Sequence, residues 1–231
     1  MSLRVGVLLS GCGYLDGSEI HEAVLTMLHL DRSGATIVCT APRGPQALVV
    51  DHATGKPAEG QSRGMLIEAA RIARGRIKDL AEVRAGELDA LICPGGFGAA
   101  RNLCDFASRG EDATPHPEVA RLLRELHAAR KPIGAICIAP AMVACVLGRE
   151  VHPTLTIGSD KGTARALEAM GSRHRECSVR SCVVDEENLI VTTPAYMCDA
   201  RISEVSAGIE KLISSVLGLC KAGAKTTKEG A

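Results

Sequence analysis

A chain of 231 residues with 27 basic and 27 acidic side chains carries no net charge, which excludes the electrostatic footprint of a nucleic-acid or anionic-membrane binder. Hydrophobic residues make up 46%, enough to bury a large core, whereas aromatics are 2% with no tryptophan, too few for a base-stacking platform. Ten cysteines without CxxC or CxxxH spacing read as reduced thiols acting mostly as small apolar residues, so no metal site is expected.

The chain opens on "MSLR" and passes directly into "VGVLLSGCG", with no signal or transit pattern, and no apolar run approaches the ~20 residues of a spanning helix. A soluble, cytoplasmic protein is the expectation. "LRVGVLLS" (3–10) predicts a first strand and "SEIHEAVLTMLHLDRSG" (18–34) a helix ending at Gly34. The apolar stripe of that helix is Ile20, Ala23, Val24, Met27 and Leu28, at the spacing of a buried face. "ATIVCTAP" predicts a second strand stopped by Pro42, and a turn-rich stretch (42–61) leads into an amphipathic helix over "SRGMLIEAARIARG".

"LDALICPGG" predicts a third strand. "HPEVARLLRELHAARKP" predicts a helix with Pro117 in its first turn and Pro132 beyond its end. "KPIGAIC" is the fourth strand and "IAPAMVACVLG" the helix after it. The stretch 176–194 reads as a hairpin, 199–220 as a last helix, and 221–231 as a disordered tail. Apolar strands alternating with helices predict one α/β domain over 1–220, with a mostly parallel sheet covered on both faces. Ligands in such folds gather at the carboxyl ends of the strands.

Four loops lie at those ends, and chemistry is sought there. Cys137 sits where the fourth strand hands over to a helix, the place of a nucleophile elbow, with the helix N-terminus favouring thiolate. A buried structural cysteine is the other reading. In "PGGFGAARNL", Gly95 and Gly96 allow close backbone approach, and the N–H groups of Gly96 and Ile138 form a two-donor oxyanion site if the two strand ends are neighbours. A tight turn alone also explains two glycines. Glu22 falls with Thr26 and His29 on the polar side of its helix, which reads as solvated surface. His52, in "VVDHATG", is the histidine best placed by the pattern to reach Cys137.

"SGCGYLDGSEIHEAV", "PGGFGAARNL", "CIAPAM" and "VTTPAYM", in this order and at these separations, resemble the ElbB proteins. These are glyoxalase-like members of the class I glutamine amidotransferase-like superfamily, which also holds the PfpI-type proteases. The resemblance covers residues 3–220. It implies a flavodoxin-like doubly wound sheet with helices on both faces and a C-terminal β-hairpin, and a homodimer. It makes Cys137 the nucleophile, Glu22 a buried, protonated donor to its sulfur, and the Gly96 and Ile138 N–H groups the oxyanion donors. Many members carry histidine directly after the cysteine, where this chain has Ile138, so a Cys–His–acid triad is not expected.

The implied activity is cofactor-independent conversion of small dicarbonyls (glyoxal, methylglyoxal) to 2-hydroxy acids through a cysteine hemithioacetal. The partner is then a small-molecule aldehyde, with neither nucleic acid nor membrane. The alternative is a low-turnover ligand- or redox-responsive protein using the same pocket, with Cys12 as a resolving thiol for Cys137.

Overall fold

The computed structural model describes residues 2–229. Strand β1 (Arg4–Leu8), helix α1 (Ile20–Arg32) and strand β2 (Thr36–Ala41) lead to a short hairpin, β3 (Val50–Asp51) and β4 (Lys56–Pro57), and then to α2 (Met65–Ile72). Next come β5 (Ile77–Asp79), β6 (Ala90–Cys93), two short helices α3 (Phe97–Arg101) and α4 (Phe106–Arg109), α5 (Pro117–Ala128), β7 (Ile133–Ile136) and α6 (Ala139–Val151). The chain closes with β8 (Thr154–Leu155), α7 (Lys161–Ala169), β9 (Arg173–His174), β10 (Val183–Asp185), β11 (Ile190–Thr193) and α8 (Ile202–Glu229).

Seven strands form one sheet in the order β10-β11-β7-β6-β1-β2-β5. Every pairing is parallel except that of β10 with β11, the expected hairpin, which is shorter than 176–194. Side chains alternate across the strands as the pleat requires. Leu91, Cys93, Ile133 and Ala135 face the core under α5 and α6, and Val5, Val7, Ala90, Ile92 and Ile136 face the core under α1 and α8. This is the flavodoxin-like architecture, helices on both faces, and it sets the ends of β1, β6 and β7 side by side.

Several short elements escaped the periodicity, namely β3, β4, β5, α3, α4, β8 and β9, as did α7. Strand β5 is three residues of mixed polarity, and α7 starts from Asp160, whose carboxylate accepts the Thr163 N–H at 2.6 Å. Helix α8 continues past 220 to Glu229, through most of the segment expected to be a disordered tail, where alanine and lysine favour helix; residues 230–231 lie outside the described residues. Among the described residues, no helix is long and apolar enough to cross a membrane.

Helix α1 is rotated relative to the sequence expectation. Ile20, Val24 and Leu28 of the apolar stripe are 42%, 46% and 38% exposed, while Glu22, Ala23, Thr26, His29 and Leu30 are buried. The buried set also has helical spacing, and its small members let α1 approach the sheet and α8 closely. His29 Nε2 meets Ser206 Oγ of α8 at 2.9 Å, which provides for one polar group on that face. Glu22 is therefore an interior side chain, contrary to the solvated-surface reading.

Candidate active site

Cys137 directly follows β7 and precedes the Ile138 cap of α6, with Pro140 in the first helical turn. Its φ is +61°, in the left-handed region that a non-glycine residue occupies at a cost of about 1–3 kcal/mol. The surrounding sheet holds it there: the Cys137 N–H donates to the Thr193 carbonyl at 2.9 Å. The result is a sharp elbow that lifts the thiol off the end of the sheet, at 8% exposure.

The loop after β6 completes the floor. Gly95 N–H donates to Glu22 Oε2 at 2.9 Å, and the N–H groups of Gly96 and Ile138 both point at the Cys137 sulfur. Neither glycine is replaceable without displacement. A Cβ on Gly95 would lie 2.6 Å from Cys137 Cβ and 2.8 Å from Glu22 Oε2, and one on Gly96, at φ +90°, would lie 2.4 Å from Glu19 N. Gly95→Ala is expected to lower stability by about 1–3 kcal/mol through overpacking. It should also slow alkylation of Cys137; urea denaturation and iodoacetamide labelling read the two effects, and unchanged values in both would contradict the close packing.

Protonation here differs from the sequence expectation. Burial, the neighbouring Glu22 charge and the S–H donated to Glu22 push the Cys137 thiol well above its ordinary value, outweighing the Gly96 and Ile138 N–H groups. Burial, then the Glu19 charge, pushes Glu22 up to about 8, against the lowering effects of Gly95 N–H, Cys137 and Tyr196 N–H. The pair holds its protons at neutral pH, with the Cys137 and Glu22 side chains hydrogen-bonded to each other. The thiolate expected from the helix dipole is thus disfavoured by the raised Cys137 pKa, whereas the protonated Glu22 implied by the resemblance agrees with its own raised pKa. Burial alone also raises Cys93 to about 12 and Cys39 to about 11, so the partners of Cys137, rather than its raised pKa, distinguish it.

The "SGCGYLDG" loop folds over this floor. Phe97 N–H donates to Tyr14 O at 2.7 Å, Gly98 N–H to Gly17 O at 2.9 Å, and Glu19 N–H to Gly95 O at 3.0 Å. Asn102 Nδ2 donates to both Ser10 O and Asp16 O at 2.8 Å. His52 belongs to this bracing: its Nε2 accepts the Leu15 N–H at 3.3 Å, and its Nδ1 lies 3.1 Å from Val50 O. It is not among the side chains around Cys137. Cys12 is likewise absent from the wall of the cavity at Cys137, and its thiol is pushed up by burial and then by Glu68 of α2. The structure thus brings together Cys137, Glu22, Gly95, Gly96 and Ile138, and leaves out Cys12 and His52.

A cavity of about 500 Å³ opens beside Cys137, with Glu19, Arg101, Thr163 and four aromatic rings in its wall. None of these side chains was singled out by sequence reasoning as lining the site. Glu19 caps α1, accepting the Glu22 N–H at 2.6 Å, and its place three residues before Glu22 was a signal available in the sequence. Tyr196 donates its N–H to Glu22 Oε1 at 3.4 Å, and its Oη meets His21 Nδ1 at 2.9 Å. No cluster of histidine, cysteine or carboxylate side chains suited to a metal occurs among the described residues.

No family model matches the chain. It is 47% identical over 226 residues to the human glutamine amidotransferase-like class 1 domain-containing protein 3, mitochondrial, covering 94% of this chain and 83% of that protein. It is 34% identical over 230 residues to the zebrafish ES1 protein, mitochondrial, covering 93% and 85%. Among solved structures, an isoprenoid biosynthesis protein with an amidotransferase-like domain from Ehrlichia chaffeensis matches with a TM-score of 0.88 at 39% identity, over 94% of this chain and 99% of that one. The cytoplasmic expectation is overturned by these names. Both curated relatives are called mitochondrial.

Proposed function

The chain belongs to the family of glutamine amidotransferase-like class 1 domain proteins, and from that membership we propose that it is a cofactor-independent glyoxalase of the ElbB type, converting glyoxal or methylglyoxal to a 2-hydroxy acid. One observation carries the reading: a buried thiol is hydrogen-bonded to a buried carboxyl, with two backbone N–H groups directed at its sulfur and a cavity beside it. The position after the nucleophile is Ile138, which offers no base for amide hydrolysis, so the chemistry favoured is one that needs a single acid–base group.

The steps balance without an outside oxidant. The Cys137 sulfur attacks the aldehyde carbon as its proton passes to the Glu22 carboxylate, and the Gly96 and Ile138 N–H groups hold the resulting oxyanion. Glu22 returns that proton to the oxygen, giving a hemithioacetal. It then removes the hydrogen of the sulfur-bearing carbon, and the electron pair flows into an enediol. Protonation of the adjacent carbon leaves a 2-hydroxy thioester, so the first carbon is oxidised and the second reduced by the same two electrons. Water cleaves the thioester and restores the thiol.

The base form of Glu22 sets the pH dependence. Its carboxyl titrates at about 8, so kcat/KM for glyoxal should climb about tenfold per pH unit below that point and level off above it. The test is a metal-chelated assay of wild-type protein that follows glycolate formation across that range. Absence of glycolate at every pH, or a rate that falls on the alkaline side from pH 6 onward, would reject the assignment.

A further inference from the structure

The protein has two tyrosines, two phenylalanines and no tryptophan in 231 residues. All four rings stand in the wall of the one cavity that holds Cys137: Tyr14, Phe97, Phe106 and Tyr196. They come from four separate places, namely the loop after β1, the first residues of α3 and α4, and the turn before α8. Among the described residues, the buried apolar core is aliphatic side chains, alanine, cysteine and methionine, with Phe106 and Tyr196 packed against its margin. Ring area is therefore concentrated where a ligand would sit.

Exposure points the same way. Tyr14 and Phe97 are 50% and 42% exposed and share one cavity wall, so they form a grouped apolar patch of the kind that marks a binding surface. Phe97 is held in place, since Arg101 lies over its ring at 4.8 Å and donates to Leu15 O at 3.2 Å. A preformed, ring-lined cavity of about 500 Å³ has the size and lining of sites that enclose ligands much larger than a two-carbon aldehyde. Glu19, in the wall beside the Glu22–Cys137 pair, disfavours a carboxylate at the reacting end.

We infer that the substrate class of this site is a 2-oxoaldehyde carrying an uncharged, apolar arm of aromatic-ring size, its aldehyde carbon at Cys137 and its arm among Tyr14, Phe97, Phe106 and Tyr196. This rests on the glyoxalase reading above and narrows it. Phenylglyoxal is the probe: addition of water and the same internal two-electron shift turn it into mandelate.

The expected result is a kcat/KM for phenylglyoxal at least about tenfold above that for glyoxal, the scale on which apolar pockets discriminate. Phe97→Ala, at an exposed ring, and Phe106→Leu should each lower the phenylglyoxal-to-glyoxal ratio about tenfold. Mandelate should bind Cys137→Ala protein more tightly than glycolate does. Turnover of glyoxal with no preference for phenylglyoxal, or a ratio unmoved in both ring variants, overturns the substrate class and leaves the glyoxalase reading standing. If neither aldehyde is turned over, the glyoxalase reading falls and binding decides the recognition of the arm: tighter mandelate, weakened by Phe97→Ala, supports it, and equal affinity for the two hydroxy acids overturns it.

Discussion

Cys137→Ala protein is expected to turn over glyoxal at least about a thousandfold more slowly than wild type if the proposed glyoxalase chemistry operates, the scale on which loss of an essential nucleophile registers. The sulfur is the one atom in contact with every part of the proposed machinery, because Glu22 accepts its proton and Gly96 and Ile138 direct their N–H groups at it. Alanine removes that atom without changing the elbow, since the Cys137 N–H bond to Thr193 O involves the backbone alone. A cysteine is a small side chain, so the void left behind should cost about 1 kcal/mol, and the thermal transition should stay cooperative. Steady-state assay with circular dichroism on the same samples tests both halves. Turnover within tenfold of wild type, in folded protein, would remove Cys137 from the mechanism.

Glu22→Gln changes how stability depends on pH. The carboxyl titrates at about 8 in the folded protein and near its ordinary 4.5 when unfolded. The folded chain therefore holds a proton that the unfolded chain has already released. The associated stability is fully present below about 4.5 and is lost as pH rises through about 8, a span worth roughly 5 kcal/mol. Glutamine resembles the protonated acid. It keeps an acceptor for the Gly95 N–H at 2.9 Å and gives up the longer 3.4 Å bond from Tyr196. Wild type and Glu22→Gln should thus be similar in urea denaturation near pH 5, with the variant ahead by several kcal/mol near pH 8.5. Parallel curves at the two pH values would mean that Glu22 is not buried as a neutral acid. The same substitution should suppress turnover, which separates its chemical role from its thermodynamic one.

Much of this site could be read from the chain because its backbone signals are local. A short apolar strand, a cysteine, and Pro140 two residues into the next segment define the elbow without tertiary information, and the paired glycines mark a close approach. Glu22 was legible only through resemblance. Its helix carries two stripes of helical spacing, and the more hydrophobic one, Ile20–Val24–Leu28, is the exposed one. A hydrophobicity count cannot see that Ala23 and Thr26 permit a closer fit against the sheet, nor that this fit carries Glu22 inward. The elbow thiolate failed for a related reason: the helix N-terminus is a property of sequence, whereas the opposing burial and Glu22 charge come from packing. His52 was favoured by its loop position, and only the fold shows it bracing Leu15 instead.

The cavity wall lay furthest from reach. Tyr14 and Tyr196 are separated by most of the chain and meet at one site because the sheet order places the loop after β1 and the turn after β11 at the same edge of the strand ends. The scarcity of aromatics was visible from the start, but scarcity alone says nothing about location.

That arrangement has a spectroscopic consequence. With no tryptophan in the chain, ultraviolet emission from this protein comes from Tyr14 and Tyr196, and both rings line the cavity beside Cys137. The native protein is thus its own optical reporter: its tyrosine fluorescence arises wholly at the site, and occupancy there can be followed in unlabelled material with no background from the rest of the fold.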